Sequence, residues 1–253
     1  VTNAQLRINL QDGGVNSFAG NGSDVIYLRE VTVTQVTSDG LVKTWYDQSV
    51  TNEAGDTATG NHAVQATAAE QPKIVDAGAL LTAGVTFDGG DTLSVSGEPV
   101  ITASSSGVFS AFSVQTVATS EAGYLYGNAS TSNGSSAYAL VDKFTLSNKN
   151  SASSLDNIPR SSGQNLLSAV YNNGDAGLLV NGAGTMTDNG TYGFAAGTSD
   201  FIIGNRNGGS LSATFLTGSI NEIIVYNSNQ TDNRTAIEAN IGEVYSIDLP
   251  SGV

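Results

Sequence analysis

The chain has 253 residues and a formal net charge of −14 at pH 7, with 9 basic residues against 23 acidic ones. The basic residues form no stripe, and an acidic surface repels phosphate backbones and anionic lipids, so we expect no nucleic-acid binding and no membrane insertion. The absence of cysteine excludes disulfides, thiolate metal sites and cysteine nucleophiles.

The remaining composition is typical of a β-rich domain. Charged residues make up only 13% of the chain, Gly occurs 30 times, and short apolar runs recur throughout. All-β sandwiches often reach this length as one unit, so we expect a single domain over 1–253. The chain begins with Val1 rather than Met, and we expect a processed product or a fragment of something longer.

Alternating apolar and polar residues, separated by Gly, Asn and Asp turn signals, predict a chain made mainly of strands. In chain order the predicted strands are 5–10, 24–37, 41–46, 63–67, 72–75, two pieces of 85–95 around a turn at 88–91, 109–117, 124–127, 137–148, 166–171, 177–181, 201–204 and 218–226. The polar residues 149–163 predict the longest loop outside the stretch 44–72.

One helix is predicted, over 231–245. Ile237, Ile241 and Val244 recur at i, i+4 and i+7 and would share its buried face. Thr231 is placed to cap the N-terminus. Tyr245 and Ile247 would return the chain to the sheet.

The stretch 44–72 holds the only Trp, Trp45, and the only His, His62, around an oxygen-rich loop. Aromatic faces for stacking and polar groups for hydroxyls predict a sugar-binding edge. The proposed ligand-binding residues are Trp45, Tyr46, Asp47, Asn61 and His62, with Tyr124, Tyr126 and Tyr192 as further aromatic candidates. The alternative is that these aromatic residues are core or loop anchors and that the loop is solvated.

The same loops offer oxygen ligands for a cation. Asp47, Asp88 and Asp91 are candidate ligands for a structural Ca²⁺ ion, because Ca²⁺ prefers carboxylate and carbonyl oxygens. A single His without any Cys excludes an ordinary transition-metal site.

Several segments, in this order, resemble concanavalin A-like (LamG-type) jelly-roll domains of bacterial secreted proteins and phage virion proteins. The matching segments are Thr-Trp-Tyr-Asp-Gln-Ser at 44–49, Gly-Asn-His-Ala at 60–63, Gln-Pro-Lys-Ile-Val at 71–75, Val-Thr-Phe-Asp-Gly-Gly-Asp at 85–91, the hairpin at 167–182, Ile-Ile-Gly at 202–204 and the strand at 218–226. The chain departs from the pattern at 50–59, where ten residues intervene before the Gly-Asn-His-Ala segment.

The resemblance implies an all-β, concanavalin A-like jelly-roll sandwich of two antiparallel sheets with one C-terminal helix. Residues 41–247 would form its core, 1–40 would add N-terminal strands or an arm, and 248–253 would be a tail. It also implies a place outside the cell or on a virion surface. Fungal-type α-L-arabinofuranosidases share a similar segment, but those enzymes contain cysteines.

The residues leave three functions open. The first is a non-catalytic adhesion or decoration module that binds glycans weakly. The second is a glycoside hydrolase, which needs two facing carboxylates; the candidates are Asp47, Asp88, Asp91 and Glu222. The third is an architectural capsid or fibre subunit that contacts other subunits of a larger assembly or forms a homo-oligomer through its sheet edges.

Overall fold

The structure is a computed structural model that describes residues 38–49, 61–96, 108–117, 123–128, 135–140, 143–148, 154–159, 162–172, 175–187, 200–205 and 215–251. All of them belong to one compact unit, Val36–Val253. The strands predicted at 5–10 and 24–37, and the candidate Tyr192, lie outside the described residues.

Within the described residues the chain forms two sheets and one α-helix. In chain order the strands are β1 (Gly40–Leu41), β2 (Thr44–Trp45), β3 (Ala63–Val64), β4 (Lys73–Asp76), β5 (Ala79–Leu80), β6 (Val85–Asp88), β7 (Leu93–Val95), β8 (Val108–Thr116), β9 (Gly123–Asn128), β10 (Ser135–Leu140), β11 (Lys143–Asn148), β12 (Ser154–Pro159), β13 (Gln164–Asn172), β14 (Asp175–Val180), β15 (Ala183–Thr187), β16 (Phe201–Ile203) and β17 (Thr217–Tyr226). The helix α1 (Arg234–Tyr245) follows β17, and a short 3-10 turn spans Ala68–Glu70.

The first sheet has nine strands in the order β1-β4-β6-β17-β8-β13-β14-β15, with β5 also paired to β4. The second sheet has eight strands in the order β12-β11-β10-β9-β16-β7-β3-β2. Neighbouring strands pair antiparallel. The predicted all-β sandwich of two antiparallel sheets with one C-terminal helix is confirmed.

The central strand β8 shows how one sheet serves two cores. Successive side chains of a strand point to opposite faces. Phe109 and Ala111 pack in the core between the sheets, whereas Phe112 and Val114 pack in a second core that includes Ile241 of α1. Because α1 covers the outer face, β8 is buried on both sides along most of its length.

The helix differs from its prediction in its first residue and in its buried face. It begins at Arg234, and the Thr231 hydroxyl hydrogen-bonds to Asn229 instead of capping it. Ile241 is buried as predicted, but Val244 is 67% exposed. The buried face is centred on Glu238, Ile241 and Gly242, and because that face contains a Glu and a Gly, its apolar pattern was misread. Tyr245 and Ile247 do return to the sheet and pack in the second core.

Two strand predictions and one loop prediction were wrong. The two strand predictions failed because local alternation does not show where a chain changes its pairing partner. The predicted strand 41–46 is two short strands, and β1 and β2 belong to different sheets. The predicted strand 137–148 is the hairpin of β10 and β11. The predicted loop 149–163 contains β12, an edge strand with one partner, which can therefore be polar in sequence.

Candidate binding cleft

A cleft of about 440 Å³ opens between the two sheets, beside β2 and β17. This volume falls in the range of pockets that bind small ligands. Its polar rim is formed by Asp47, Gln48, Ser49 and Asn61. Its apolar floor is formed by Val95, Phe201, Ile203, Ile223 and Val225. Trp45, Tyr46, Asn221, Glu222 and Tyr245 also contribute to its walls.

The cleft lies beside the part of β17 that is paired with a described strand on one side only. β17 pairs with β8 as far as Tyr226, but its pairing with β6 ends at Ile220. Just before β6, Gly84 has φ +94°, and a Cβ there would lie 2.5 Å from the Ile220 carbonyl oxygen. Among the described strands none pairs with this edge of β17 beyond Ile220, so its backbone groups border the cleft.

Two adjacent aromatic residues mark the opposite wall. Trp45 ends β2 and packs partly against the core between the sheets. Tyr46 follows it and is 52% exposed. The Tyr46 ring meets the His62 ring edge-on, with ring centroids 5.1 Å apart. The exposed Tyr46 face is therefore available for stacking, while Trp45 is both a wall and an anchor.

Asp47 fixes the loop that carries the polar rim. One carboxylate oxygen accepts a hydrogen bond from the Ser49 backbone N–H at 2.8 Å, and the other accepts from the Asn61 backbone N–H at 3.0 Å. The Asp47 backbone N–H donates to Nδ1 of His62 at 3.0 Å. Because Nδ1 is the acceptor, the proton of the neutral His62 ring is on Nε2. Asp47 and His62 thus join the two ends of the loop.

These contacts make the rim sensitive to acid. Partial burial opposes ionisation of Asp47, but the hydrogen bonds from Ser49 and Asn61 hold its pKa below the usual value. A lowered folded-state pKa stabilises the fold above the unfolded pKa of about 3.9, and this stabilisation is lost as the pH falls through the folded pKa. We therefore expect Trp45 fluorescence to change in the wild-type chain as the pH falls below the unfolded pKa of about 3.9, through the lowered folded-state pKa of Asp47.

The Asp47→Asn variant should lack this acid step, because an amide cannot accept both backbone hydrogen bonds at any pH. Its fluorescence at pH 7 should resemble that of the acidified wild-type chain. Asp76→Asn, on β4, is the control and should keep the step. An unchanged step in Asp47→Asn would contradict the assigned role of Asp47.

Asp88 ends β6 and Asp91 lies in the turn that leads to β7, and both are outside the lining of the cleft. The Asp88 backbone N–H donates to the Asp91 carboxylate at 2.9 Å, and the Gly90 backbone N–H donates to the Asp88 carboxylate at 3.0 Å. Burial raises the pKa of Asp91, although the hydrogen bond from Asp88 opposes the rise. The three candidate calcium ligands are therefore divided between the rim and this turn.

In the part of the chain that the structure describes, no three His, Asp or Glu side chains are grouped to hold a metal ion. Calcium binding by Asp47, Asp88 or Asp91 with backbone carbonyls stays a prediction. No described helix is long and apolar enough to cross a membrane.

Sequence reasoning missed most of the cleft. The apolar floor comes from strands that were predicted only as strands. Tyr245 was predicted only to return the chain to the sheet, and not to line a site. The Tyr245 hydroxyl lies by Glu222; burial, then the Glu222 charge and hydrogen bond, raise the pKa of Tyr245. Tyr124 and Tyr126 are 8% and 1% exposed and pack in the core, so they do not face the cleft. Burial raises the pKa of Tyr126 to about 12.

Comparison with protein-family models and with curated protein sequences finds no match. Among solved structures, a GH54 α-L-arabinofuranosidase soaked with a cyclic sulfate inhibitor has a TM-score of 0.56 at 15% identity, over 81% of this chain and 51% of that chain. A mutant GH54 α-L-arabinofuranosidase soaked with 4-nitrophenyl α-L-arabinofuranoside has a TM-score of 0.58 at 15% identity, over 81% and 51% of the two chains. A heptameric pentraxin from Limulus polyphemus has a TM-score of 0.44 at 18% identity, over 60% of this chain and 78% of that chain.

The arabinofuranosidase structures bear on the fold alone, since their identity to this chain is low. They agree with a concanavalin A-like jelly-roll sandwich, which is the fold of this chain. The chain spans about half the length of those enzymes. Membership of the LamG-type family stays a prediction, because no family model matches.

Proposed function

We propose that this chain is a non-catalytic module that binds glycans in the cleft. The observation that carries the proposal is the combination of exposed Tyr46, a fixed carboxylate at Asp47 and the amide of Asn61 around one opening. Sugar sites combine an aromatic face, on which the C–H face of a sugar ring packs, with a few fixed polar groups for the hydroxyls.

Two features support binding by a fixed rim. Both Asp47 oxygens already accept backbone hydrogen bonds, so the carboxylate is held in place before any ligand arrives. A preformed site loses less conformational entropy on binding than a mobile one. The arabinofuranosidases with the same fold act on glycosides, which favours sugars over other small polar ligands.

Adhesion or decoration on the outside of a cell or virion belongs to the same proposal. It is supported by the sequence resemblance to jelly-roll domains of secreted and virion proteins. Weak single-site binding would suit such a module, because many copies on one particle multiply the avidity.

Replacing Tyr46 by alanine should weaken glycan binding about tenfold or more, through loss of the stacking face. Binding is measured on a glycan array in calcium and again in EDTA, and then by calorimetry on the strongest hit. Leu80→Ala is the control, since Leu80 is 70% exposed on β5 and lies outside the cleft lining. EDTA-sensitive binding would support the calcium prediction as well. Absence of binding in both conditions would refute the proposal and favour the architectural subunit.

A glycoside hydrolase is the second candidate, because Asp47 and Glu222 both line the cleft. Hydrolysis needs one carboxyl group as acid and another as base or nucleophile. The lowered pKa of Asp47 suits a base or nucleophile and not an acid, so Glu222 would have to donate the proton. Release of free sugar by the wild-type chain, but not by Glu222→Gln, would establish this candidate in place of simple binding.

A further inference from the structure

The cleft has two chemically different zones, and their burial differs. Phe201, Val95 and Ile203 of the apolar floor are only 3%, 6% and 6% exposed. The residues of the polar rim are exposed or half-buried. The floor continues the core between the sheets, whereas the rim belongs to a loop and faces solvent.

A sugar ring alone does not fill such a cleft well. Every hydroxyl group placed over the apolar floor would lose its hydrogen bonds to water and find no side-chain partner there. Hydroxyl groups are better placed at the polar rim and along the free edge of β17, where carboxylate, amide and backbone groups are available. An apolar group, by contrast, gains free energy on the floor in proportion to the surface it buries.

The charge of the cleft further restricts the class of sugar that can bind. Asp47 is ionised at neutral pH and Glu222 adds a second carboxylate to the wall. No Lys or Arg lines the cleft among the described residues. An anionic sugar would therefore meet charge repulsion without a compensating cation.

From this arrangement we infer that the cleft binds neutral glycosides carrying an apolar substituent, such as an aryl or acyl group. The sugar occupies the polar rim against Tyr46, and the substituent lies on the apolar floor. The inference rests on the proposed function and adds the ligand class.

Matched methyl and phenyl glycosides of arabinose, xylose, glucose and galactose test the inference. Binding is followed by Trp45 fluorescence, which is specific to the cleft because the chain has one Trp, and by calorimetry. Phenyl glycosides should bind about tenfold more tightly than methyl glycosides, since burial of roughly 55 Å² of additional apolar surface suffices for that factor. Phenyl glucoside should also bind more tightly than phenyl glucuronide.

Val225→Thr changes the floor with little change of shape and should bring the phenyl-to-methyl ratio towards one. Val64→Thr is the matched control, because Val64 is 42% exposed on β3 and lies outside the cleft lining. Equal binding of methyl and phenyl glycosides by the wild-type chain would overturn the inference and leave the proposed function standing. Failure of the methyl and phenyl glycosides to bind would overturn the inference and the proposed function together. Binding of phenol as tightly as the phenyl glycosides would do the same.

Discussion

Replacing Gly204 by alanine is expected to lower the free energy of unfolding by about 2–5 kcal/mol. Gly204 has φ +83°, where an L-residue is strained. A Cβ there would lie 2.5 Å from the Phe87 ring and 2.9 Å from the Asp91 carbonyl oxygen. Phe87 is 1% exposed and has no room to retreat. Urea denaturation followed by Trp45 fluorescence measures the change.

The Gly163→Ala variant separates the cost of the positive φ from the cost of steric overlap with Phe87 and Asp91. Gly163 also has a positive φ, +105°, but a Cβ there would meet nothing within 4 Å. This variant should lose only the cost of backbone strain, about 1–2 kcal/mol. Equal losses in the two variants would show that the approach of Gly204 to Phe87 does not contribute.

Replacing Arg234 by methionine should cost about 3–5 kcal/mol, because it leaves a buried carboxylate without its cation. Glu238 is 0% exposed and one of its oxygens accepts a hydrogen bond from Arg234. Its other oxygen, Oε1, is buried without a hydrogen-bond partner in the described structure. Thermal and urea denaturation both report the loss.

The double variant Arg234→Met/Glu238→Leu should regain most of that stability, since a buried ion pair replaced by apolar residues is often neutral or stabilising. Lys73→Met is the comparison for a solvent-accessible pair. Lys73 contacts Asp39 and Asp76, its side chain is 34% exposed, and its loss should cost much less than the loss of Arg234, because water screens an exposed ion pair. Similar losses for Lys73→Met and Arg234→Met would contradict the importance given to burial at Glu238.

The sequence contained enough information for the architecture. Alternation over 109–117 predicted β8, and a strand was also predicted over 218–226, where β17 lies. The Asp88–Asp91 turn was predicted between two strand pieces that proved to be β6 and β7. These features are local, because they depend on side-chain period and on turn residues. The helix was also found, although its buried Glu238 and Gly242 hid the true face.

Only the part of the cleft contributed by the stretch 44–72 was predictable from the sequence. Trp45, Tyr46, Asp47, Asn61 and His62 stood out through their residue types within one stretch. The first four line the cleft, whereas His62 lies outside the lining and contacts Asp47 and Tyr46. The apolar floor depends on pairing between strands far apart in the chain, such as β16 with β7 and β17 with β8. Nothing in the local alternation of Val225 or Phe201 indicates which sheet edge is left open beside it.

The position of β17 also governs how the chain must fold during synthesis. β17 is the last of the described strands in chain order, yet it lies inside the nine-stranded sheet between β6 and β8. Until residues 217–226 leave the ribosome, β1, β4, β5 and β6 remain separated from β8, β13, β14 and β15, and both groups expose an edge that will later be interior. Pairing of such distant segments is slow, and exposed edges invite association with other chains. The nascent sheet is therefore most vulnerable to aggregation just before β17 is made, and a ribosome stalled before residue 217 would hold the two groups of strands unjoined.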